Sequence, residues 1–154
     1  MTDIVDKQIR SRMMAGIKGK DTKPELALRA ALHARGFRYR VHSNRVHGRP
    51  DLILPKYRAV VFVHGCFWHR HEGCRYTTTP STRTEFWQAK FEANVARDSA
   101  VRATLLESRW RVATVWECAL RKPDQVAASA ELLSTWLVSN EGQIVIGAEG
   151  EQFF

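Results

Sequence analysis

At 154 residues, 44% hydrophobic and 26% charged, the chain is long enough for one domain with a real core and is not the composition of a disordered polymer. Its longest apolar run, AVVFV at 59–63, is too short to cross a membrane, and the N-terminus MTDIVDKQIR carries no apolar signal segment. The net charge of +8 is one-sided: Lys and Arg stand against Asp and Glu as 12 to 4 over residues 1–50, 7 to 5 over 51–100, and 5 to 7 over the remainder. With a pI near 9.9, that asymmetry is the electrostatic footprint of a nucleic-acid binder. An odd count of three cysteines argues against a disulfide framework, so a reducing, cytoplasmic setting is expected.

In chain order, DKQIRSRMMAGIKGK (6–20) reads as a short helix followed by a Gly-rich basic arm. Next, DTKPELALRAALHARG predicts a helix with Thr22 as N-cap, Pro24 in the first turn, Glu25 as capping-box partner and Gly36 as the stop. Leu26, Ala30 and His33, with Leu28 and Leu32, are its expected apolar face. FRYRV (37–41) alternates like a strand, and RPDLILP (49–55) and RAVVFVHG (58–65) are close enough to form an antiparallel hairpin. Residues 75–83 form a loop, a long helix follows over roughly 84–108, WRVATVW (110–116) is a strand, and 123–138 is a closing helix. The expected architecture is a single α/β domain over residues 1–154, with a mixed sheet flanked by helices. Residues 140–154 are expected to form a loose strand or tail.

The densest chemistry lies in HGCFWHRHEGC, residues 64–74. Cys66, His71 and Cys74 could surround one ion, with Cys118 of WECAL completing a Cys3His tetrahedron; His69 and Glu72 are rivals for the fourth place. A closed set of N and S ligands suits structural zinc and leaves no open position for catalysis. The chemistry therefore needs another centre. Asp51, in RPD at a strand start, faces the end of the next strand, FVH at 62–64. A carboxylate there can hold a hard divalent cation such as Mg2+, which would polarise a phosphodiester. His64 and His69 are suited to proton transfer or phosphate contact nearby, and Glu25 to a place behind the metal's water.

Together GRPDLIL, VVFVHGCFWHRH, TRTEFWQAKFEANVARD and WRVATVWECAL closely resemble the very-short-patch repair (Vsr) endonucleases, and DKQIRSRMMAGIKGKDT resembles that family's DNA-binding arm. The resemblance runs from about residue 6 to residue 121. It implies a restriction-endonuclease-like fold, a PD-(D/E)XK variant with one structural zinc. It also implies nicking of double-stranded DNA 5′ of the thymine in a T:G mismatch left by deamination of 5-methylcytosine. Carried over by motif, Asp51 would bind catalytic Mg2+, two ions by resemblance, with the Val63 carbonyl as a further ligand. His69 would activate or position water, His64 would sit by the scissile phosphate, and Glu25 would hold metal-bound waters. Cys66, His71, Cys74 and Cys118 match the zinc ligands. Phe67, Trp68 and Trp87 match an aromatic wedge, Met14 an intercalator from the minor groove, and Lys90 and Asn94 the readers of the mismatched bases. Mismatch-repair proteins and a repair DNA polymerase would be partners by the same resemblance, and the lack of an obvious dimerisation helix suggests a monomer. Two departures stand out. Where the general nuclease pattern has a second acid and a lysine, this chain has Phe62 and His64, and the interval from His71 to Cys74 differs by one residue from familiar members. Two other readings remain open: a nicking enzyme with another mismatch or sequence context, and a zinc-stabilised DNA-binding protein without cleavage.

Overall fold

Strand β3, Ala59–His64, and strand β4, Arg111–Trp116, lie parallel in register from Ala59 opposite Arg111 to His64 opposite Trp116. Parallel neighbours need a crossover, and here helix α3, Thr84–Glu107, supplies it. The structure, a computed structural model, describes residues 21–152. Helix α1 spans Lys23–Ala34, and the short strands β1 (Arg40–Val41) and β2 (Leu52–Leu54) lead antiparallel into β3. A single turn, α2, covers Cys66–His69. Helix α4, Pro123–Leu137, carries the chain to β5, Gln143–Gly147, parallel to β4, and β6, Gly150–Gln152, closes the far edge antiparallel. The six strands lie in sequence order in one sheet.

Alternation along the strands divides the core between the two faces. Leu52, Leu54, Ala59, Val61, Ala113, Val115, Ile144 and Ile146 pack with Leu28 and Leu32 of α1 and Leu133 and Leu137 of α4. On the other face, Ile53, Val60 and Val112 meet Leu105 of α3. That second layer is thin, and beyond it the same face of β3 and β4 continues with Phe62, His64, Thr114 and Trp116. Arg111 fastens α4 to the sheet: its guanidinium donates to the carbonyls of Trp136 and Leu137 and stacks 4.4 Å over the Trp136 ring. Among the described residues, no helix is long and apolar enough to cross a membrane.

Several expectations are corrected. Of FRYRV, only Arg40 and Val41 pair as strand, because just these two residues reach β2. The core face of α1 is Leu28 and Leu32; Leu26 is 46% exposed, and Ala30 and His33 face outward. Thr22 does cap α1, accepting from the Glu25 N–H at 3.4 Å, but the Glu25 side chain turns to other partners and closes no capping box. Nor is the C-terminal stretch a loose tail. Gln143–Gly147 is a largely buried strand of the sheet, and Gly150–Gln152 pairs with it. The arm at 6–20, with Met14, lies outside the described residues.

Candidate active site and metal centre

The sequence HGCFWHRH brings thiol, aromatic and imidazole side chains together because α2 is one turn long. Gly65 ends β3, Cys66 turns inward and is buried, and Arg70 closes the turn at φ +56°. Phe67 and Trp68 pack against Trp87 of α3, while His69 stacks on His64 of β3. Arg70 locks the turn by donating to the Thr78 carbonyl at 2.8 Å and stacking 4.0 Å over Phe91 of α3.

Cys66, His71, Cys74 and Cys118 converge, with all their ligand atoms within 4.8 Å of one another. His71 Nδ1 lies 3.4 Å from Cys118 Sγ and 3.7 Å from Cys66 Sγ. Its Nε2 donates to Gln152 Oε1 at 2.9 Å, which turns the Nδ1 lone pair toward the sulfurs. The ring also stacks on Trp116 at 4.3 Å. A hydrogen bond from Cys66 draws the Cys118 thiol down to about 5, while the same contact and burial push Cys66 upward. A buried cluster that already favours a thiolate, with a pre-oriented imidazole, fits a tetrahedral soft-to-borderline metal. The rivals for the fourth place drop out: His69 is committed elsewhere and Glu72 is exposed. Gly73, at φ +71°, makes the turn that lets Cys74 reach the cluster across the altered interval.

A second centre opens on the α3 side of the sheet. A cavity of about 280 Å3 is lined by Asp51, Val63, His64 and His69, with Asp98 and Arg102 of α3. Gly48 (φ +80°) lets the preceding loop pass so close to Val101 that any Cβ would collide. Asp51 Oδ2 accepts the Val63 N–H at 2.7 Å, which pins the carboxylate to the end of β3. Burial first, then the charge of Glu25, push the Asp51 carboxyl up to about 7. Glu25, 1% exposed, accepts from Arg29 Nη1 at 2.7 Å, and its Oε2 stands 2.8 Å from His42 Nε2. His42 Nε2 is also 3.9 Å from Asp51 Oδ1. The Asp51 carboxylate lines the cavity and the buried Glu25 crowds it from behind, and a hard divalent cation on Asp51 would relieve their repulsion.

His64 and His69 stack with centroids 4.0 Å apart and planes 5° from parallel. His69 Nδ1 donates to Asp98 Oδ2 at 2.6 Å. That bond fixes the tautomer and leaves Nε2 as the basic nitrogen, the logic of an oriented general base. Burial lowers His64 to about 3, with the charges of His69 and Arg102 adding and Asp98 opposing, so His64 is neutral at physiological pH.

The aromatics form their own surface cluster. Phe67 meets Trp68 edge-on at 5.0 Å, Phe91 at 5.2 Å and Trp87 at 5.9 Å, and Trp68 lies 5.8 Å from Trp87. Phe67, Trp68 and Trp87 remain half-exposed and Phe86 is 49% exposed. Trp87 therefore joins Phe67 and Trp68 rather than the core. Asn94 Nδ2 donates to the Trp68 carbonyl at 3.1 Å, and Lys90 Nζ lies 5.9 Å over the Trp68 ring.

Asp98, His42 and Arg29 were not singled out from the sequence. Asp98 had a readable signal: Trp87, Phe91, Asn94, Asp98 and Arg102 follow helical spacing along one stripe of α3. His42 had none, since only the β1–β2 pairing sets it beside Asp51, its N–H donating to the Asp51 carbonyl at 3.3 Å.

Comparison with known proteins decides the family. The profile described as DNA mismatch endonuclease Vsr matches residues 2–75. Over 152 residues the chain is 41% identical to the DNA mismatch endonuclease Vsr of Escherichia coli K12, covering 97% of each protein. The chain belongs to the Vsr family of DNA mismatch endonucleases. It is also 46% identical over 120 residues to the type II nicking enzyme V.XorIIP of Xanthomonas oryzae pv. oryzae, covering 78% of this chain and 88% of that one. For V.NmeAIP of Neisseria meningitidis the values are 43% over 121 residues, 79% and 86%. The mixed sheet with helices on both faces is the restriction-endonuclease-like architecture of the Vsr family, and the chain is a DNA endonuclease.

Proposed function

We propose that this Vsr-family protein nicks double-stranded DNA 5′ of the thymine in a T:G mismatch, in a reaction that requires Mg2+. The observation that carries the reading is the α2 turn. It presents Phe67 and Trp68 to solvent and, one residue on, sets His69 against Asp98 in the cavity of Asp51.

The Asp51 carboxylate and the Val63 carbonyl would hold the metal, with Glu25 behind as an outer partner. Asp51 and Val63 would thereby place Lewis-acid chemistry, when a divalent cation is bound, at the phosphodiester. His69 Nε2 takes the proton of the attacking water, and Asp98 stabilises the resulting imidazolium. Neutral His64, stacked on His69, contacts the scissile phosphate without competing for that proton. A structural zinc would sit in the Cys66, His71, Cys74 and Cys118 cluster and fix the offset between wedge and base.

Recognition follows from energetics. Inserting Phe67, Trp68 and Trp87 into a base stack costs a few kcal/mol of unstacking, less at a mismatch, and stacking returns about 1–3 kcal/mol per base. Insertion is thus selective for a weakened step, where Lys90 and Asn94 stand ready to read base edges. The basic N-terminal third supplies phosphate affinity.

The test is a nicking assay on matched T:A and mismatched T:G duplexes, with Mg2+ or EDTA. Wild type should nick only the T:G strand and only with Mg2+, and Asp51→Ala should reduce the rate by at least about a thousandfold. A wild type that leaves T:G as intact as the Asp51→Ala variant does would refute the proposal. A panel of flanking sequences and other mismatches in the same assay defines the substrate context.

A further inference from the structure

A phosphodiester is an anion, and its charge grows on the non-bridging oxygens as water attacks, so donors aimed at those oxygens accelerate the cut. The strands beneath the Asp51 cavity give it no fixed cation: β3 and β4 line it with Phe62, Val63, His64, Val112 and Thr114. Its arginines come from elsewhere, Arg49 from the loop before β2, and Arg97 and Arg102 from α3. Arg49 and Arg97 are exposed, whereas Arg102 is half-buried. A second, larger cavity of about 560 Å3 adjoins the first, and His64, His69, Asp98, Arg102 and Thr114 line both. Arg102 is thus the arginine common to the two. Arg70, which also lines the larger cavity, is held by the Thr78 carbonyl, the Thr79 hydroxyl and the Phe91 ring. Arg102 follows Asp98 by one helical turn and shares its side of α3, and its charge acts on the His64 ring.

We propose that Arg102 is a catalytic residue of this nuclease, its guanidinium donating to a non-bridging oxygen of the scissile phosphate where the two cavities meet. The inference deepens the nicking reaction proposed above and rests on it. A guanidinium suits the task because it is charged at every working pH and offers a planar fork of N–H donors matched to phosphate oxygens. Reaching across from α3, it places positive charge opposite β3, so the phosphate lies between Arg102 and His64. Asp98 holds His69 from the same helix. One rigid element therefore aligns the base and the phosphate together. An arginine that only adds affinity for DNA would contribute equally before and during the attack and would leave the chemical step unchanged. An arginine that only steadies Asp98 would be indifferent to the atoms of the phosphate.

The experiment measures single-turnover nicking of the T:G duplex by full-length protein at saturating concentration. Arg102→Ala should slow the nick about 100-fold, while duplex affinity, spread over many phosphate contacts, hardly changes. Arg102→Lys, which keeps the charge and loses the fork, should fall between. Guanidinium chloride well below denaturing concentrations should restore part of the Arg102→Ala rate, and sodium chloride at the same ionic strength should not. A second readout replaces each non-bridging oxygen of the scissile phosphate in turn with sulfur. Wild type should cut the diastereomer that Arg102 contacts more slowly than the oxygen duplex, and that penalty should shrink in Arg102→Ala. An unchanged Arg102→Ala rate, a loss confined to affinity, or a loss that neither guanidinium nor lysine relieves would overturn the proposal. So would equal sulfur penalties in wild type and Arg102→Ala on both diastereomers. Wild type in the same assay tests the reaction itself. If it spares T:G and cuts another duplex, the T:G reading fails and the comparison on that duplex still decides Arg102; a wild type that cuts no DNA would end both.

Discussion

Asp51 shows what a buried carboxylate costs the fold. Its ordinary value of 3.8 rises to about 7 in the folded protein, first through burial and then through Glu25. Between those two pH values the folded state keeps a proton that the unfolded chain has lost, so stability falls as pH rises through this window. Above it, the full penalty for the ionised pair applies, up to about 4 kcal/mol at 1.36 kcal/mol per unit. Asn has no such proton. Without Mg2+, Asp51→Asn should therefore be more stable than wild type by about 1–4 kcal/mol above pH 7, with a flatter dependence of its urea midpoint on pH. Adding Mg2+ should stabilise wild type alone. Parallel pH slopes for the two proteins would show that Asp51 is not the group responsible. At this scale the sequence was informative where chemistry is local. The Cys-His spacing and the Pro-Asp strand start named residues that the fold brings together. It was silent on His42 and Glu25 as partners, because their contact depends on how α1 and the β1–β2 hairpin meet.

Along α3 the same stripe changes role from one end to the other. Trp87 and Phe91 belong to the aromatic cluster, Asn94 ties down α2, Asp98 holds the proposed base His69, and Leu105 is buried core. The helix is thus a rigid bar between the proposed wedge and the proposed base. Its length and start were readable from the sequence. Its functional face was not, because only Phe91 and Leu105 are buried and the rest of the stripe is polar or half-exposed. Trp68 of α2, packed against Trp87 of that bar, is part of the proposed wedge. In an Asp51→Ala background, which leaves the duplex uncut, Trp68→Ala should weaken T:G binding by about 1–3 kcal/mol, roughly 5- to 150-fold. Binding to the matched duplex, which relies on phosphate contacts, should hardly change. Fluorescence anisotropy on the two duplexes gives both numbers, and an equal loss on both would mean that Trp68 is no mismatch sensor.

Across the whole molecule, the cysteine cluster joins the segments that leave the ends of strands already paired in the sheet. Cys66 follows β3, Cys118 follows β4, and His71 is held by Gln152 of β6. The parallel pairs β3–β4 and β4–β5 are crossover connections, so their ends meet only after both helical layers have docked. This is also why the last strands went unread: QIVIG is a short apolar run whose partner, β4, is reached only through α4. A metal in the cluster would clamp the strand ends that carry both His64 and the α2 turn. Losing it should act on stability and specificity together, since freeing Cys66 frees Phe67, Trp68 and His69 as well. Cys118→Ser keeps the size of the side chain but removes the thiolate. The variant should hold well under one equivalent of zinc and lose at least about 3 kcal/mol in urea unfolding, as loss of a structural metal does. Near its residual stability it should also lose T:G nicking more steeply than duplex binding, because the basic N-terminal third still finds phosphate. Full zinc retention with an unchanged urea midpoint would remove Cys118 from the cluster, and with it the clamp between β3 and β4.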